Sequence, residues 1–204
     1  MRRVILFVAA LAAGCSRATT PPVTVLAKAS LVAIHKLAVM PVGASAATTG
    51  SAAARAPAAV SEMLLKAASR EAVWTTVDPD AVGAALDAIK ATDSTEVKAG
   101  ELAARLGADA TLTATVARYD ERQGGDYGVS EPASVSIQLL VVGAGKKQPE
   151  WKANYVITQE PLAYNLWNFW GFVQGGAKWL TVNELARIGI EEAVRRLAQR
   201  SGAS

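Results

Sequence analysis

Cysteine and histidine are almost absent from this sequence. Its 204 residues include one cysteine, Cys15, and one histidine, His35. A single cysteine excludes an intramolecular disulfide, and one cysteine with one histidine excludes a His/Cys metal cluster. The chain is therefore not one of the small secreted scaffolds that depend on crosslinks, and we expect neither a metal nor another cofactor.

An excess of charge of one sign is also missing. The sequence has 21 basic and 18 acidic residues, and without Arg2 and Arg3 of the leader described below the basic count falls to 19. A surplus this small creates no positive field for phosphates, so we exclude nucleic acid as a partner. Hydrophobic residues make up 51% of the chain, which is too high for a disordered protein and sufficient for a packed core.

The sequence motifs of common catalytic sites do not occur either. The chain has no HExxH, no GxSxG and no glycine-rich loop that ends in a P-loop lysine. His35 has no second histidine or cysteine for a catalytic triad, and we interpret it as a surface residue at the start of a strand. Asp120, Glu121 and Asp126 cluster in a polar loop, where we interpret them as solvated charge. We expect no catalytic residues and no enzymatic activity.

The chain begins with a short apolar run that has a basic start. Arg2 and Arg3 precede Val4–Ala13, about ten apolar residues, whereas a bilayer-spanning helix needs about 20. This pattern is typical of a secretory signal peptide. The run continues into LAAGC, which ends at Cys15 and resembles the lipobox of bacterial lipoproteins.

The lipobox resemblance implies how and where the protein is held. In bacterial lipoproteins the cysteine thiol receives a diacylglycerol, the leader is cleaved just before it, and the new amino terminus is acylated, as with palmitate. Cys15 is thus the predicted lipidation site, after a signal peptide of residues 1–14 and at the start of a lipidated, partly packed tether of residues 15–34. The serine at position 16, in place of an aspartate, favours the outer membrane, on its periplasmic face. The alternative is an ordinary cleavage site at residues 10–12, which leaves a soluble protein with a free thiol.

From residue 35 the hydrophobic pattern predicts a single α+β domain, residues 35–204. Apolar strands at Lys36–Val42 and Glu71–Val77 flank an amphipathic helix at Ala53–Ser69, which predicts a β-α-β start. Farther along the chain, three strands with period-two alternation predict an antiparallel meander. A capping box that starts at Thr181 opens the last helix. We therefore expect a mixed sheet with helices packed on it.

Several of these segments resemble a known superfamily. KLAVMPV, residues 36–42, and LGADATLTATVARY, residues 106–119, are followed by a hairpin whose second strand begins at Trp151. This order resembles the superfamily of CsgG-like secretion lipoproteins, penicillin-binding-protein activator lipoproteins and the amino-terminal domain of TolB. The resemblance implies a non-catalytic accessory or assembly factor of the cell envelope that acts through protein contacts. A homo-oligomeric secretion or pore component of the CsgG-like kind is the alternative.

Aromatic residues are scarce overall, at 6%, yet they concentrate between Pro161 and Leu180. The residues of this aromatic segment that we predict to contact a partner or a membrane are Trp167, Phe169, Trp170, Phe172 and Trp179. One face of a helix cannot bury all of them. Three interpretations stay open. The segment covers an open face of the sheet, binds a protein partner or another copy of the chain, or inserts into the headgroup region of the membrane.

Overall fold

The computed structural model describes residues 22–27, 33–43, 47–91, 93–159 and 179–202. These residues form a six-stranded sheet, a separate two-stranded hairpin and four α-helices. The strands are Val23–Ala27 (β1), Lys36–Val39 (β2), Thr75–Thr76 (β3), Ala110–Asp120 (β4), Gln123–Gly124 (β5), Val129–Glu131 (β6), Ser134–Gly143 (β7) and Trp151–Thr158 (β8). The helices are Ala56–Arg70 (α1), Pro79–Asp87 (α2), Thr95–Leu106 (α3) and Val182–Ser201 (α4).

The large sheet is mixed, with the strand order β1-β8-β7-β4-β2-β3. β2 pairs in parallel with both β3 and β4, so that β2, α1 and β3 form the predicted β-α-β unit. β4, β7 and β8 pair antiparallel in succession, which confirms the predicted meander. β1 adds antiparallel to β8 at the edge. The predicted α+β class with helices on a mixed sheet is confirmed.

Local sequence signals explain where the helices begin and end. Asp78 caps α2 by accepting a backbone N–H at 3.0 Å, and Pro79 occupies the first turn. α3 ends at Gly107, whose φ of 56° lies in the left-handed region that glycine adopts without a steric penalty. Thr181 and Glu184 form the predicted capping box of α4, each side chain accepting the other's backbone N–H.

The two faces of the large sheet are covered to different extents. α1 and α4 pack on one face and bury the larger apolar cluster, which includes Leu112, Leu139 and Trp151. α2 and α3 pack on the opposite face over β2, β4 and β7, where they bury Ala38 and Val142. The rest of that second face, on β1 and β8, is exposed or half-exposed. Within the described segments, no helix has the length and apolar character needed to cross a bilayer.

β2 is shorter than the predicted strand over residues 36–42. It ends at Val39, and Met40 makes the last backbone hydrogen bond to β4. Pro41 has no N–H to donate, and the N–H of Val42 instead donates to Oγ of Ser61 on α1 at 2.8 Å. The chain is thereby drawn away from the sheet after Met40.

β3 is also shorter than predicted, because residues 72–74 form a turn. Only Thr75–Thr76 pairs with β2. Trp74 is buried, and its indole N–H donates to the carbonyl of Ala68 at 2.9 Å. This bond holds the chain close to the end of α1 and leaves room for two residues of strand.

β4 departs from the predicted half-buried pattern in its first half. Leu112 and Ala114 face the core under α1, as the alternation predicts. Thr111 and Thr113 on the opposite face are also fully buried, because α3 packs over this part of the strand. Thr115, farther along the same face, is exposed.

Candidate functional site

The lone histidine lies just before β2, where the backbone bonds to a carboxylate. His35 is exposed, and its backbone N–H and that of Lys36 each donate to Oδ2 of Asp109 at 2.8 Å. These two backbone hydrogen bonds lower the pKa of Asp109 below its ordinary value. Asp109 therefore stabilises the start of the strand. Within the described segments, no three histidine, cysteine, aspartate or glutamate side chains are placed to hold a metal ion.

The charged loop after β4 is held by specific bonds and is only partly solvated. The side chain of Arg122 is 14% exposed and forms an ion pair with Asp126. Its Nη1 also donates to the carbonyl of Gly125 at 3.1 Å and to the carbonyl of Trp179 at 2.5 Å. Arg122 therefore connects this loop to the chain before α4, while its partner Asp126 is exposed, as the interpretation of solvated charge expects.

Glu121 links the same loop to two other elements. Its Oε1 accepts the backbone N–H of Val182 in the first turn of α4 at 3.1 Å. Its Oε2 accepts Nη2 of Arg55 at 2.6 Å. A carboxylate at a helix N-terminus is stabilised by the unpaired N–H groups there. Glu121 therefore acts as a structural residue, and solvated charge describes it poorly.

Both ends of the aromatic segment are attached at one corner of the sheet. Gln159 follows β8, and its buried Oε1 accepts the N–H of Leu180 at 2.8 Å. Trp179 is half-buried beside it, and the backbone N–H of Trp179 donates to the carbonyl of Asp126 at 2.7 Å. The four other predicted contact residues of the segment, like Cys15, lie outside the described residues: Trp167, Phe169, Trp170 and Phe172.

This corner belongs to one end of the sheet, which we name the aromatic end. Ser134 at the start of β7 pairs with Asp120 at the end of β4 and with Thr158 at the end of β8. The β5-β6 hairpin joins β4 to β7 here, with Tyr127 in its turn, 87% exposed. Sequence reasoning missed Tyr127, although the glycines around it in GGDYG indicate a tight turn.

The first described residues of the chain lie at the same end. β1 is antiparallel to β8, with Val23 opposite Tyr155. The chain before Val23 therefore points along β8 toward Thr158. Pro22 is exposed at this position. The predicted tether to Cys15 and the aromatic segment thus start from neighbouring strand ends.

The charges of the aromatic end are largely neutralised by one another. Arg55 pairs with Glu121, Arg122 pairs with Asp126, and Arg118 lies 4.0 Å from Asp120. Exposed ion pairs contribute little to recognition by charge. An exposed tyrosine next to the attachment points of a tryptophan-rich segment favours contact through aromatic surface.

Comparisons with known proteins give distant structural likeness only. No protein-family model matches the chain, and no curated protein matches its sequence. A PelC dodecamer from Paraburkholderia phytofirmans is similar with a TM-score of 0.48 and 11% identity, over 84% of this chain and 94% of that one. The C-terminal domain of LpoB from Escherichia coli gives 0.41 and 18%, over 64% and 88%. Lipoprotein GNA1162 from Neisseria meningitidis gives 0.43 and 17%, over 74% and 98%. Likeness at this level assigns neither a family nor an activity to this chain.

Proposed function

We propose that this protein is a lipid-anchored protein of the bacterial outer membrane, which binds another envelope protein through its aromatic end and catalyses no reaction. The observation that carries the proposal is the convergence of three features on one end of the sheet. These are the exit of the amino-terminal chain at Pro22, the exposed Tyr127, and the paired attachment points Gln159 and Leu180.

The predicted lipid anchor keeps this end close to a membrane. Cys15 precedes Pro22 by seven residues, and seven extended residues span at most about 25 Å. More than one acyl chain on Cys15 holds a protein on a bilayer far more firmly than a single chain does. The aromatic end therefore lies beside the periplasmic surface of the membrane. A partner bound to the aromatic end is also close to that surface.

Aromatic side chains are suited to protein contact at such a position. Tyrosine and tryptophan bury large areas with few rotatable bonds and dominate the binding energy of many interfaces. Tyr127 is fully accessible on its hairpin, and Arg122 fixes that hairpin to Trp179. A rigid connection between the hairpin that carries Tyr127 and the end of the aromatic segment at Trp179 lowers the entropic cost of binding one partner to both.

Photocrosslinking in intact cells tests this proposal. The full chain is produced with a benzoylphenylalanine in place of Tyr127 or Trp170, and in a control in place of Lys147, which is exposed in the turn between β7 and β8 at the opposite end. We expect positions 127 and 170 to crosslink to the same envelope protein and position 147 to give no such product.

Three other outcomes contradict the proposal. Adducts only between copies of the chain indicate the homo-oligomeric alternative. Adducts of position 170 with lipid alone indicate membrane insertion of the aromatic segment. Co-purification of the same partners by a Trp167→Ser/Trp170→Ser variant and by the parent chain also counts against a contact through this segment.

The anchor is tested separately from the partner. Intact-mass analysis of the natural protein should show a diacylglycerol and an added acyl chain on a chain that begins at Cys15. A Cys15→Ser variant should lose both additions and should be released by aqueous extraction. An unacylated natural protein disproves the anchor and leaves the crosslinking result to be judged on its own.

A further inference from the structure

A cleft of about 570 Å³ lies beside the middle of β4, past the point where β2 ends, and none of its lining residues belongs to the aromatic end. Its apolar wall is formed by Met40 at the end of β2 and by Leu86 and Ile89 at the end of α2. Lys98 of α3 lies on the opposite side, and the middle of β4, residues 114–116, forms the floor. The volume is within the range of about 300–1,000 Å³ that is usual for ligand sites.

The floor of the cleft is an unpaired part of a strand edge. The carbonyl of Leu112 accepts the N–H of Met40 at 2.9 Å, and the carbonyl of Val116 accepts Oγ1 of Thr48 at 2.8 Å. Alternate residues of a strand direct their N–H and C=O groups to the same edge, so Ala114 between them also faces this edge. Among the described residues, neither peptide group of Ala114 has a hydrogen-bond partner there.

The gap beside Ala114 is held open by the surrounding bonds. Ser61 Oγ donates to the carbonyl of Pro57 at 2.6 Å and accepts the N–H of Val42 at 2.8 Å, which draws the chain after β2 toward α1. On the other side, Nζ of Lys98 donates to the carbonyl of Ala91 at 2.6 Å and fixes the connection between α2 and α3. These bonds fix the described chain on two sides of the cleft.

We propose that this cleft binds a short extended segment of a partner polypeptide, whose backbone pairs with Ala114 and whose apolar side chain packs against Met40, Leu86 and Ile89. An unpaired N–H and C=O at strand geometry match the backbone of an added strand. The wall of apolar side chains supplies a pocket for alternate side chains of that strand. This site is separate from the aromatic end, and it does not depend on the function proposed above.

Amide hydrogen exchange on the full chain in detergent tests this inference. The probe is a capped hexapeptide of alternating threonine and valine, with two controls that are N-methylated at every threonine or at every valine. We expect the hexapeptide to slow exchange at Ala114 and Val116 at least tenfold. At least one methylated peptide should lose this effect, because an N-methyl group blocks strand pairing.

Substitutions at the cleft identify where the probe binds. Leu86→Gln should weaken the binding of the hexapeptide at least fivefold, whereas Ala84→Gln on the exposed face of the same helix should leave it unchanged. Ala91→Trp, at an exposed position on the rim, should block the cleft without disturbing the core, and it replaces Leu86→Gln if that variant does not fold.

Three results overturn the inference. Slow exchange at Ala114 before any peptide is added means that the chain itself already pairs with this edge. Equal binding of all three peptides means that the cleft recognises apolar surface and not a strand. Protection by the hexapeptide at β1, with none at Ala114, places strand addition at the other edge of the sheet.

Discussion

Gln159 and Leu180 are joined across the aromatic segment by a hydrogen bond from the N–H of Leu180 to Oε1 of Gln159, at 2.8 Å. Gln159 is 6% exposed and Leu180 is 3% exposed, so this bond is made in the protein interior. Twenty residues separate the two in the sequence, yet the chain leaves β8 and returns to α4 at one point. The chain therefore enters and leaves the aromatic segment at one corner of the domain.

Replacement of Gln159 should loosen this attachment. In Gln159→Met the buried N–H of Leu180 loses its acceptor, and we expect a loss of about 1 kcal/mol in the free energy of unfolding with faster amide exchange at residues 180–182. The loss is limited because Nε2 of Gln159, which has no partner among the described residues, is removed as well. The control is Gln138→Met on β7, where the half-buried side chain bonds to Asn154 and the loss should stay below about 0.5 kcal/mol. Equal losses in the two variants contradict this account.

Replacement of two helical glycines by alanine should change the free energy of unfolding in opposite directions. A Cβ added at Gly189 of α4 would overlap the ring of Tyr155 in the core. Gly189→Ala should therefore lower the free energy of unfolding by about 1–3 kcal/mol. A Cβ at Gly83 of α2 meets no atom within 4 Å, so Gly83→Ala should gain about 0.5–1 kcal/mol through helix propensity. Urea unfolding of both variants measures the difference. A stable Gly189→Ala protein with unchanged structure around Tyr155 contradicts the close packing.

The carboxylate of Asp109 should make stability depend on acid pH. Its pKa is lowered chiefly by the backbone N–H groups of Lys36 and His35, so the folded state favours the ionised form. This stabilisation is complete above the unfolded pKa of about 4 and is lost as the pH falls through the lower folded pKa. We therefore expect Asp109→Asn to be less stable than the parent near pH 6 and to approach it near pH 2.

Urea unfolding between pH 2 and pH 7 measures this dependence. Glu62→Gln on the exposed face of α1 is the matched control, and its difference from the parent should stay small at every pH. A constant difference between the parent and Asp109→Asn across the range would show that the hydrogen bonds do not depend on ionisation.

Alkaline pH should destabilise the protein through its buried tyrosines. Burial raises the pKa of Tyr119 to about 12, and its hydroxyl donates to Oδ1 of Asn183 at 2.7 Å. Burial also raises the pKa of Tyr155. Because unfolded tyrosine ionises near pH 10, the free energy of unfolding should fall as the pH rises from about 10 to 12.

Absorbance titration and urea unfolding between pH 9 and pH 11.5 check this behaviour. Tyr119→Phe should be less stable at pH 8, because Asn183 loses its donor, and should show a shallower decline above pH 10. The free energy of unfolding of Tyr127→Phe, at the exposed turn, should follow that of the parent over the whole pH range. Ionisation of every tyrosine near pH 10 in the folded protein would disprove the burial argument.

Predictions from the sequence succeeded where the structural cause is local. The predicted capping box at Thr181 depends on residues within one helical turn, as do the cap at Asp78 and the left-handed stop at Gly107. The meander followed from period-two alternation, because that pattern requires only that one face of each strand be buried. β2 and β3 were predicted too long, because Ser61 and Ala68, which bind the flanking chain, lie on α1.

The arrangement of the aromatic end depends on contacts between distant parts of the chain. The pairing of Arg122 with Trp179 spans 57 residues, and the hydrogen bond from Arg196 to the carbonyl of Val23 at the edge strand spans 173. A hydrophobic pattern shows that a residue is buried, but it does not show which element covers it. No local pattern could therefore have placed Tyr127, the amino-terminal exit and the aromatic segment together.

By itself the sequence determined the order and type of most elements and the absence of common catalytic motifs, and it predicts a lipid anchor at Cys15. Each of these follows from residue chemistry over about 20 positions or fewer. Only the tertiary structure decided which strand ends share the aromatic end and why the edge of Ala114 toward β2 has no backbone partner among the described residues. The physical reason is that strand register and helix packing depend on long-range contacts, whose free energy is shared among many residues at once.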